Sequence, residues 1–372
     1  MIREVPGAGA VAAARCTAHD YRDPGKPRIA WNDEQTRADP VDALVGDALR
    51  LLGHLPEQPL GERAANAVGL LALVAGQDVE PADGSDGRDG RRRITRGTAP
   101  DRVVSTVDPE TRHIHKTRTH RQDGYKAHLA VEPETTICTD VELTPGSGEE
   151  HHEAAVALDL LAEEEQPVEA FGDTACSTGT ARHVLGGAGH RLFFKPVPQR
   201  PAVAGGFVLD DFRIDTIAGT ATCPAVHTVP LSPDRGLALA RTANFGRHCT
   251  GCPLRERRTT SQTGRNLRIQ PGYDLRRTAR RQAAEPAWQD AYRRWRPPVE
   301  RAVAWLVGHG NRRLRYRGTI KNNAWLHIRG AALNLRTLTN LGLTHNGHRL
   351  ADRGCRLMTA APITPRSSSA FY

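Results

Sequence analysis

The sequence predicts a mixed α/β fold: a mixed sheet flanked by helices, with a β-rich insertion ahead of the last core helices. Three stretches predict it. Between residues 103 and 195, short alternating runs give way to helical periodicity and then to further β-type runs. Residues 196–268 are dense in Pro and Gly, carry short β-type runs and hold Cys223, Cys249 and Cys252. From Gln289 to Gly318 the chain is basic with only two carboxylates, and one of them, Glu300, heads an apolar stripe.

The elements follow in order. Residues 1–76 form a helical region: Val41–Leu55 and Glu62–Gly76 place Leu44, Ala48, Leu51 and Leu52, then Ala65, Val68, Leu71 and Val74, at helical spacing. Met1–Pro40 shows turn signals and no periodic core, with Trp31-Asn32-Asp33 placed to cap the helix that follows. Residues 77–102 read as a linker ending in the basic cluster Arg91, Arg92, Arg93 and Arg96. A core over 103–195 contains strands at Val103–Val107, Tyr125–Val131 and Ile137–Leu143, a helix at Glu150–Glu164, a strand at Val168–Gly172, a helix at Ser177–Leu185 and a strand at Arg191–Lys195. That order, βββαβαβ with a last helix arriving later, is the order of a ribonuclease-H-like fold. After the insertion, residues 269–343 supply helices at Gln289–Val307 and Asn322–Leu341, the latter with Trp325, Ile328, Ala332, Leu335 and Leu338 as its buried face. Residues 344–372 read as a disordered tail.

Composition narrows the function classes. The net charge is +9, with Arg supplying most of the basic residues, which favours a polyanionic partner and points to nucleic acid. Mean hydropathy is -0.51 and no apolar run approaches the roughly 18 residues of a membrane span, so a membrane protein is not expected. Seven cysteines and no charged-then-apolar leader over Met1–Arg15 suggest a reduced, cytoplasmic protein.

Asp173 ends an apolar β-type run and precedes TACSTGTA, which opens a helix. A carboxylate there reads either as a helix cap or as a rigidly held ligand for a divalent ion. Glu300 follows Pro297-Pro298, where first-turn dipole chemistry is the plain reading. The segments STVDPETRHIHKTRTHRQDGYKAHLAVEPE, VEAFGDTACSTGTARHVL, FFKP and YRRWRPPVERAVAWLVGHGNRRLRYRGTIKNNAWLHIRGAALNLR resemble DDE transposases of bacterial insertion sequences. More narrowly, the chain resembles the branch with a Cys-bearing β insertion before the last Glu, over about Trp31 to about Leu343.

The resemblance implies a ribonuclease-H-like domain in which three carboxylates bind two Mg²⁺ (or Mn²⁺) ions for DNA cleavage and strand transfer. Asp173 matches the second acid and Glu300 the third, within a Tyr, Arg, Glu signature formed by Tyr292, Arg296 and Glu300. The first acid lies in such proteins on a strand ahead of the helical pair. No matching motif stands over Met1–Val11, so the expectation is an amino-terminally truncated transposase or a non-catalytic DNA-binding relic, with Asp108 in STVDPETR as the only substitute. The implied partners are the double-stranded DNA ends of the element and a second copy of the chain on that DNA, associated with the nucleoid.

Tyr292, Arg296, Arg312, Arg313 and Lys195 are the expected DNA contacts, with Arg255–Arg281 as a second basic stretch. For the cysteines two readings stand. Cys223, Cys249 and Cys252 fit a structural zinc site with His227 or His248 as a fourth ligand, or they are buried reduced thiols. Arg258 stands where the resemblance would put a fourth Cys, and Cys176 where it would put a Tyr.

Overall fold

A computed structural model describes residues 5–23, 25, 27–55, 57, 59–85, 91–95, 97, 99, 101–115, 119, 121–162, 164–233, 240–346, 349–352 and 368–371. They fall into two compact units: residues 1–125 with 145–148 and 317–319, and residues 126–144 with 149–316 and 320–372.

The first unit opens with α1 (Ala8–Arg15), α2 (Glu34–Gly53) and α3 (Glu62–Gly76). Their core is small: Val5 and Ala8 pack with Leu51, Ala64 and Ala67. Residues 1–40 therefore do contribute apolar packing, through small side chains that carry little periodic signal. Asp47, buried on α2, accepts hydrogen bonds from Ala18 N at 2.7 Å and from Tyr21 Oη at 2.8 Å, which ties the loop after α1 to α2. Within the expected linker, β1 (Val79–Pro81) pairs antiparallel with β2 (Arg92–Ile94). Arg93 pairs with Glu80 at 2.9 Å and with Asp83 at 2.5 Å, whereas Arg96 lies outside the described residues.

The expected strand at Val103–Val107 does not form, because Gln77 takes both the N–H and the carbonyl of Val103. The first strand of the meander is instead β3 (Arg112–His115), paired antiparallel with the opening residues of β4 (Arg121–Val131).

The second unit is built on a mixed sheet. β5 (Cys138–Pro145) pairs with β4, and after α4 (Glu153–Ala162) come β6 (Glu169–Gly172), α5 (Gly179–Gly187) and β7 (Arg191–Phe194), with β6 and β7 parallel. The hydrophobic cluster beneath them joins Ala130, Ala157, Leu161, Val168, Ala170, Cys176, Leu185 and Phe194.

Residues 213–269 form small antiparallel sheets. β8 (Arg213–Asp215), β9 (Thr220–Thr222) and β10 (Thr228–Pro230) make one antiparallel sheet, and β11 (Arg241–Asn244) returns against β12 (Asn266–Ile269) after the short α6 (Gly246–Cys249). This stretch has its own core of Phe212, Ile214, Ala221, Val229, Ala243, Phe245, Leu267 and Ile269. Arg280 on α7 (Tyr273–Ala283) clasps Asp210 with two 2.6 Å bonds and fastens that core to the following helix.

α8 spans Pro286–Gly308 and α9 Thr319–Asn340. The buried face of α9 is Asn322, Leu326, Gly330, Leu333 and Thr337, which corrects the sequence expectation; Ile328 and Leu335 stand 66% and 65% exposed. The helix is rotated because it recognises the edge of β5 with polar groups. Asn334 accepts from Cys138 N at 2.8 Å and donates to Cys138 O at 2.7 Å, and Asn323 accepts from Leu143 N at 2.9 Å. Within residues 344–372, expected to be structureless, the described residues contain most of β13 (Leu343–Asn346), β14 (Arg349–Asp352) and β15 (Ser368–Phe371). β15 lies between β4 and β6, antiparallel to the first and parallel to the second. Residues 353–367 of that tail lie outside the described residues.

Asn334→Ala strands both a donor and an acceptor of β5, so urea unfolding should report a loss of about 1–3 kcal/mol, whereas Leu335→Ala, on the exposed face, should change stability by less than about 0.5 kcal/mol.

Candidate functional site

The site begins where β6 ends. Gly172 closes the strand, and a Cβ there would stand 2.8 Å from the Phe194 ring and 3.1 Å from Cys176 Cβ, so the chain turns out of the sheet against packed neighbours. Asp173 follows directly. Its Oδ1 accepts from Ala175 N at 2.8 Å, while α5 is capped by Thr178, whose hydroxyl accepts from Ala181 N at 3.1 Å. Asp173 is thus not the cap of this helix. The loop between them is braced by Arg182, a buried guanidinium that donates to Ser177 Oγ at 2.8 Å and to Phe194 O at 2.7 Å. Burial, with the nearby Arg276 and Arg280, pulls the Arg182 pKa down to about 10.

Glu300 comes from the other side of the sequence. Pro297 and Pro298 lie inside α8 rather than ahead of it, so Glu300 is a mid-helix residue and first-turn capping is not its role. Its side chain is 60% exposed, and Arg296 Nε, one turn earlier, approaches it at 3.8 Å. Arg296 itself is only 4% exposed.

An aromatic column sets α8 against the sheet. Phe171 on β6 stacks on Phe193 of β7 at 4.6 Å, Phe193 meets Trp288 at 5.9 Å, and Trp288 stacks on Tyr292 at 5.1 Å, both tryptophan contacts using α8. Burial raises the Tyr292 pKa, Arg296 opposes that rise, and Asp173 and Glu300 both add to it, so one phenol lies within the fields of both carboxylates. Beneath them Cys176 is buried, its thiol pushed up to about 12 by burial and then by Asp173, with Arg296 and Glu153 also acting on it.

Sequence reasoning missed Arg182 and the pair Lys126–Glu153, bonded at 3.1 Å beside this site. Lys126 sits on the polar side of a strand alternation and Glu153 at a helix start, and nothing in their spacing joins them. Next to them His128 is buried, with Nε2 at 3.0 Å from Thr144 Oγ1, and burial pushes its pKa down to about 4.

The expected DNA contacts divide. Lys195, Arg312 and Arg313 are exposed, and the Lys195 backbone N–H donates to Gly172 O at 3.1 Å, next to Asp173. Arg296 is buried beside Glu300, and Tyr292 is half-buried in the aromatic column, so these two side chains pack within the fold rather than standing out from its surface. Arg255–Arg281 divides too. Arg255 donates to the carbonyls of Ser261 and Gln262, Arg258 is fully buried and Arg280 is held by Asp210, while Arg257, Arg268 and Arg281 are exposed. Asp108 lies in the first unit, in a turn, where its Oδ1 accepts from Tyr125 Oη at 2.6 Å and from Gly318 N at 3.2 Å.

Among the described residues, no three His, Cys, Asp or Glu side chains converge to hold an ion. Asp173 and Glu300 offer hard oxygen donors, which suit Mg²⁺ or Mn²⁺. The insertion fits zinc less well. Cys223 and Cys249 belong to its apolar core, and the buried Arg258 guanidinium donates to Cys252 Sγ, setting a cation against one of the three thiols. His227 stacks on His248 at 4.8 Å. The described cysteines are all free of disulfides, and no described helix is long and apolar enough to cross a membrane.

Residues 222–339 match a protein family described as the transposase DDE domain. The resemblance to DDE transposases is thereby shown for a stretch that holds Tyr292, Arg296, Glu300, Cys223, Cys249 and Cys252 but begins after Asp173. No curated protein and no solved structure matches the chain.

The depressed His128 pKa gives a pH signature. The neutral imidazole is the folded form, so its contribution is complete above the unfolded pKa near 6.5 and is lost as pH falls from there toward 4. Unfolding at pH 7 and pH 5 should differ by up to about 2 kcal/mol from this group, and His128→Gln should flatten that difference.

Proposed function

We propose that this chain, with its transposase DDE match over residues 222–339, is a DDE transposase polypeptide acting on the DNA ends of an insertion sequence. The fold in this reading is ribonuclease-H-like, supported by the mixed sheet in which β6 and β7 run parallel and β4 runs antiparallel to its inner neighbour. The observation that carries the reading is the transposase DDE match over residues 222–339, which holds Glu300; Asp173, from a strand end 127 positions earlier, is supported as its companion because both carboxylates help raise the Tyr292 pKa.

Asp173 and Glu300 would hold Mg²⁺ or Mn²⁺, and a bound ion supplies Lewis-acid polarisation of a phosphoryl oxygen. The chain's own residues do the rest. The turn after Gly172 fixes Asp173, and the aromatic column fixes the helix that carries Glu300. Arg296 offsets the carboxylate charge beneath the site. Lys195, Arg312 and Arg313 are exposed cations that attract backbone phosphates, with the steep salt dependence that follows from counterion release. A dimer on paired DNA ends and association with the nucleoid belong to the same proposal.

A second reading, a DNA-binding polypeptide that does not cut, is favoured by one observation: among the described residues, no third acid joins these two in an ion-holding cluster.

The test uses the purified chain, labelled duplexes carrying the element's ends, and Mg²⁺ or Mn²⁺. Asp173→Asn and Glu300→Gln should each lower cleavage by at least about 100-fold while fluorescence anisotropy shows DNA affinity within about threefold of wild type. Cleavage that survives Glu300→Gln removes Glu300 from the site. Salt-dependent binding with no cleavage by the wild-type chain selects the second reading.

Arg312→Ala with Arg313→Ala should weaken binding to all duplexes alike and lower the slope of log affinity against log salt by about 2; an unchanged slope would place the phosphate contacts elsewhere.

A further inference from the structure

The mixed sheet has an unusual interior. β4 and β6 do not bond to each other; between them lies β15, drawn from residues 368–371 at the far end of the chain. The flanking residues are among the most buried of the molecule: Ala130, Val131, Ala170 and Phe171 all lie in the core. Backbone N–H and carbonyl groups facing an empty gap there would have neither water nor protein to bond, at a cost comparable to a lost hydrogen bond for each. Some strand must occupy the gap for the sheet to be whole.

The strand that does so comes from the far end of the chain. Its register is Ala370 to Val131 and Phe371 to Ala130 on one side, and Ser368, Ser369 and Ala370 to Glu169, Ala170 and Phe171 on the other. Among the described residues, the last two positions of the 11-residue β4 pair with β15. Between β14 and β15 lie 15 residues of sequence, 353–367, enough chain to span up to about 50 Å if extended. The occupant also touches function, since α8, the helix bearing Glu300, packs against both β15 and β6.

We propose that the gap between β4 and β6 is an acceptor site for an extended β-strand, filled reversibly by the carboxy-terminal segment of this chain. Recognition is through backbone pairing, as in other cases of strand addition, so the ligand class is an extended peptide with small residues at its centre. Occupancy governs how α8 seats on the sheet and hence where Glu300 stands relative to Asp173. The inference stands on topology and does not depend on DNA cleavage.

Hydrogen exchange on the full-length chain tests it. In a variant with Ser369→Pro and Ala370→Pro, which removes two strand donors, amides of residues 129–131 and 169–172 should exchange at least about tenfold faster. Those of the insertion hairpin, 241–244 and 266–269, should not change. The same variant should bind a fluorescein-labelled peptide of residues 363–372 and not the peptide carrying both prolines. Unchanged protection at 129–131 and 169–172, or failure to bind the labelled peptide, overturns the proposal. If the variant loses protection throughout, the wild-type chain decides. Amides of 369–371 exchanging as slowly as those of 170–172 support a docked strand, and exchange at the rate of a free peptide overturns it.

Discussion

The aromatic column from Phe171 through Phe193 and Trp288 to Tyr292 is the contact on which the candidate site depends. Two carboxylates 127 positions apart cannot be brought together by local structure, because each is fixed only to its own element. Rings can do it. They bury large areas with few rotatable bonds and prefer defined stacking distances, so a helix seated through them has little freedom to slide or roll. With aromatics only 5% of the chain, placing four of them in one line commits much of that limited supply to seating α8. The prolines inside α8 fit this arrangement: positions 297 and 298 give up two helical donors next to the site, and tertiary packing rather than helical propensity holds that turn.

Much of the architecture was legible in the sequence where one physical signal dominated. α3 begins and ends where its apolar period does, β6 and β7 coincide with short apolar runs, and the small strands β8 to β12 lie in the stretch dense in Pro, Gly and short β-type runs. Failures occurred where tertiary polar contacts overrode pattern. α9 was read by its large apolar residues, yet Asn334 and Asn323 set its rotation by bonding β5, and this left Ile328 and Leu335 outside. Val103 looked like strand and was captured by the amide of Gln77. For the site, Asp173 and Glu300 could be singled out, but Arg182, Lys126 and Glu153 could not, since their partners are remote in sequence and their residue types are ordinary for a surface.

The arginine content carries a related lesson. Composition pointed outward, to a polyanion, and exposed residues such as Arg312, Arg313 and Arg281 are consistent with that direction. Several others face inward. Arg182 braces the loop after Asp173, Arg280 clasps Asp210, Arg255 gathers three carbonyls, and Arg258 is enclosed beside Cys252. A planar group with five donors can satisfy several carbonyls at once, which lysine cannot, so an arginine-rich chain gains internal struts as well as a charged exterior.

The asparagines of α9 have one more consequence. A strand at the margin of a sheet presents backbone groups that can template pairing with a neighbouring molecule, the first step of edge-to-edge aggregation. On β5 the N–H and carbonyl of Cys138 and the N–H of Leu143 are already engaged by side-chain amides, which imitate the donors and acceptors of a strand without being one. The margin is in this way blunted chemically rather than shielded by bulk, and two neutral residues do the work for which many sheets use charge.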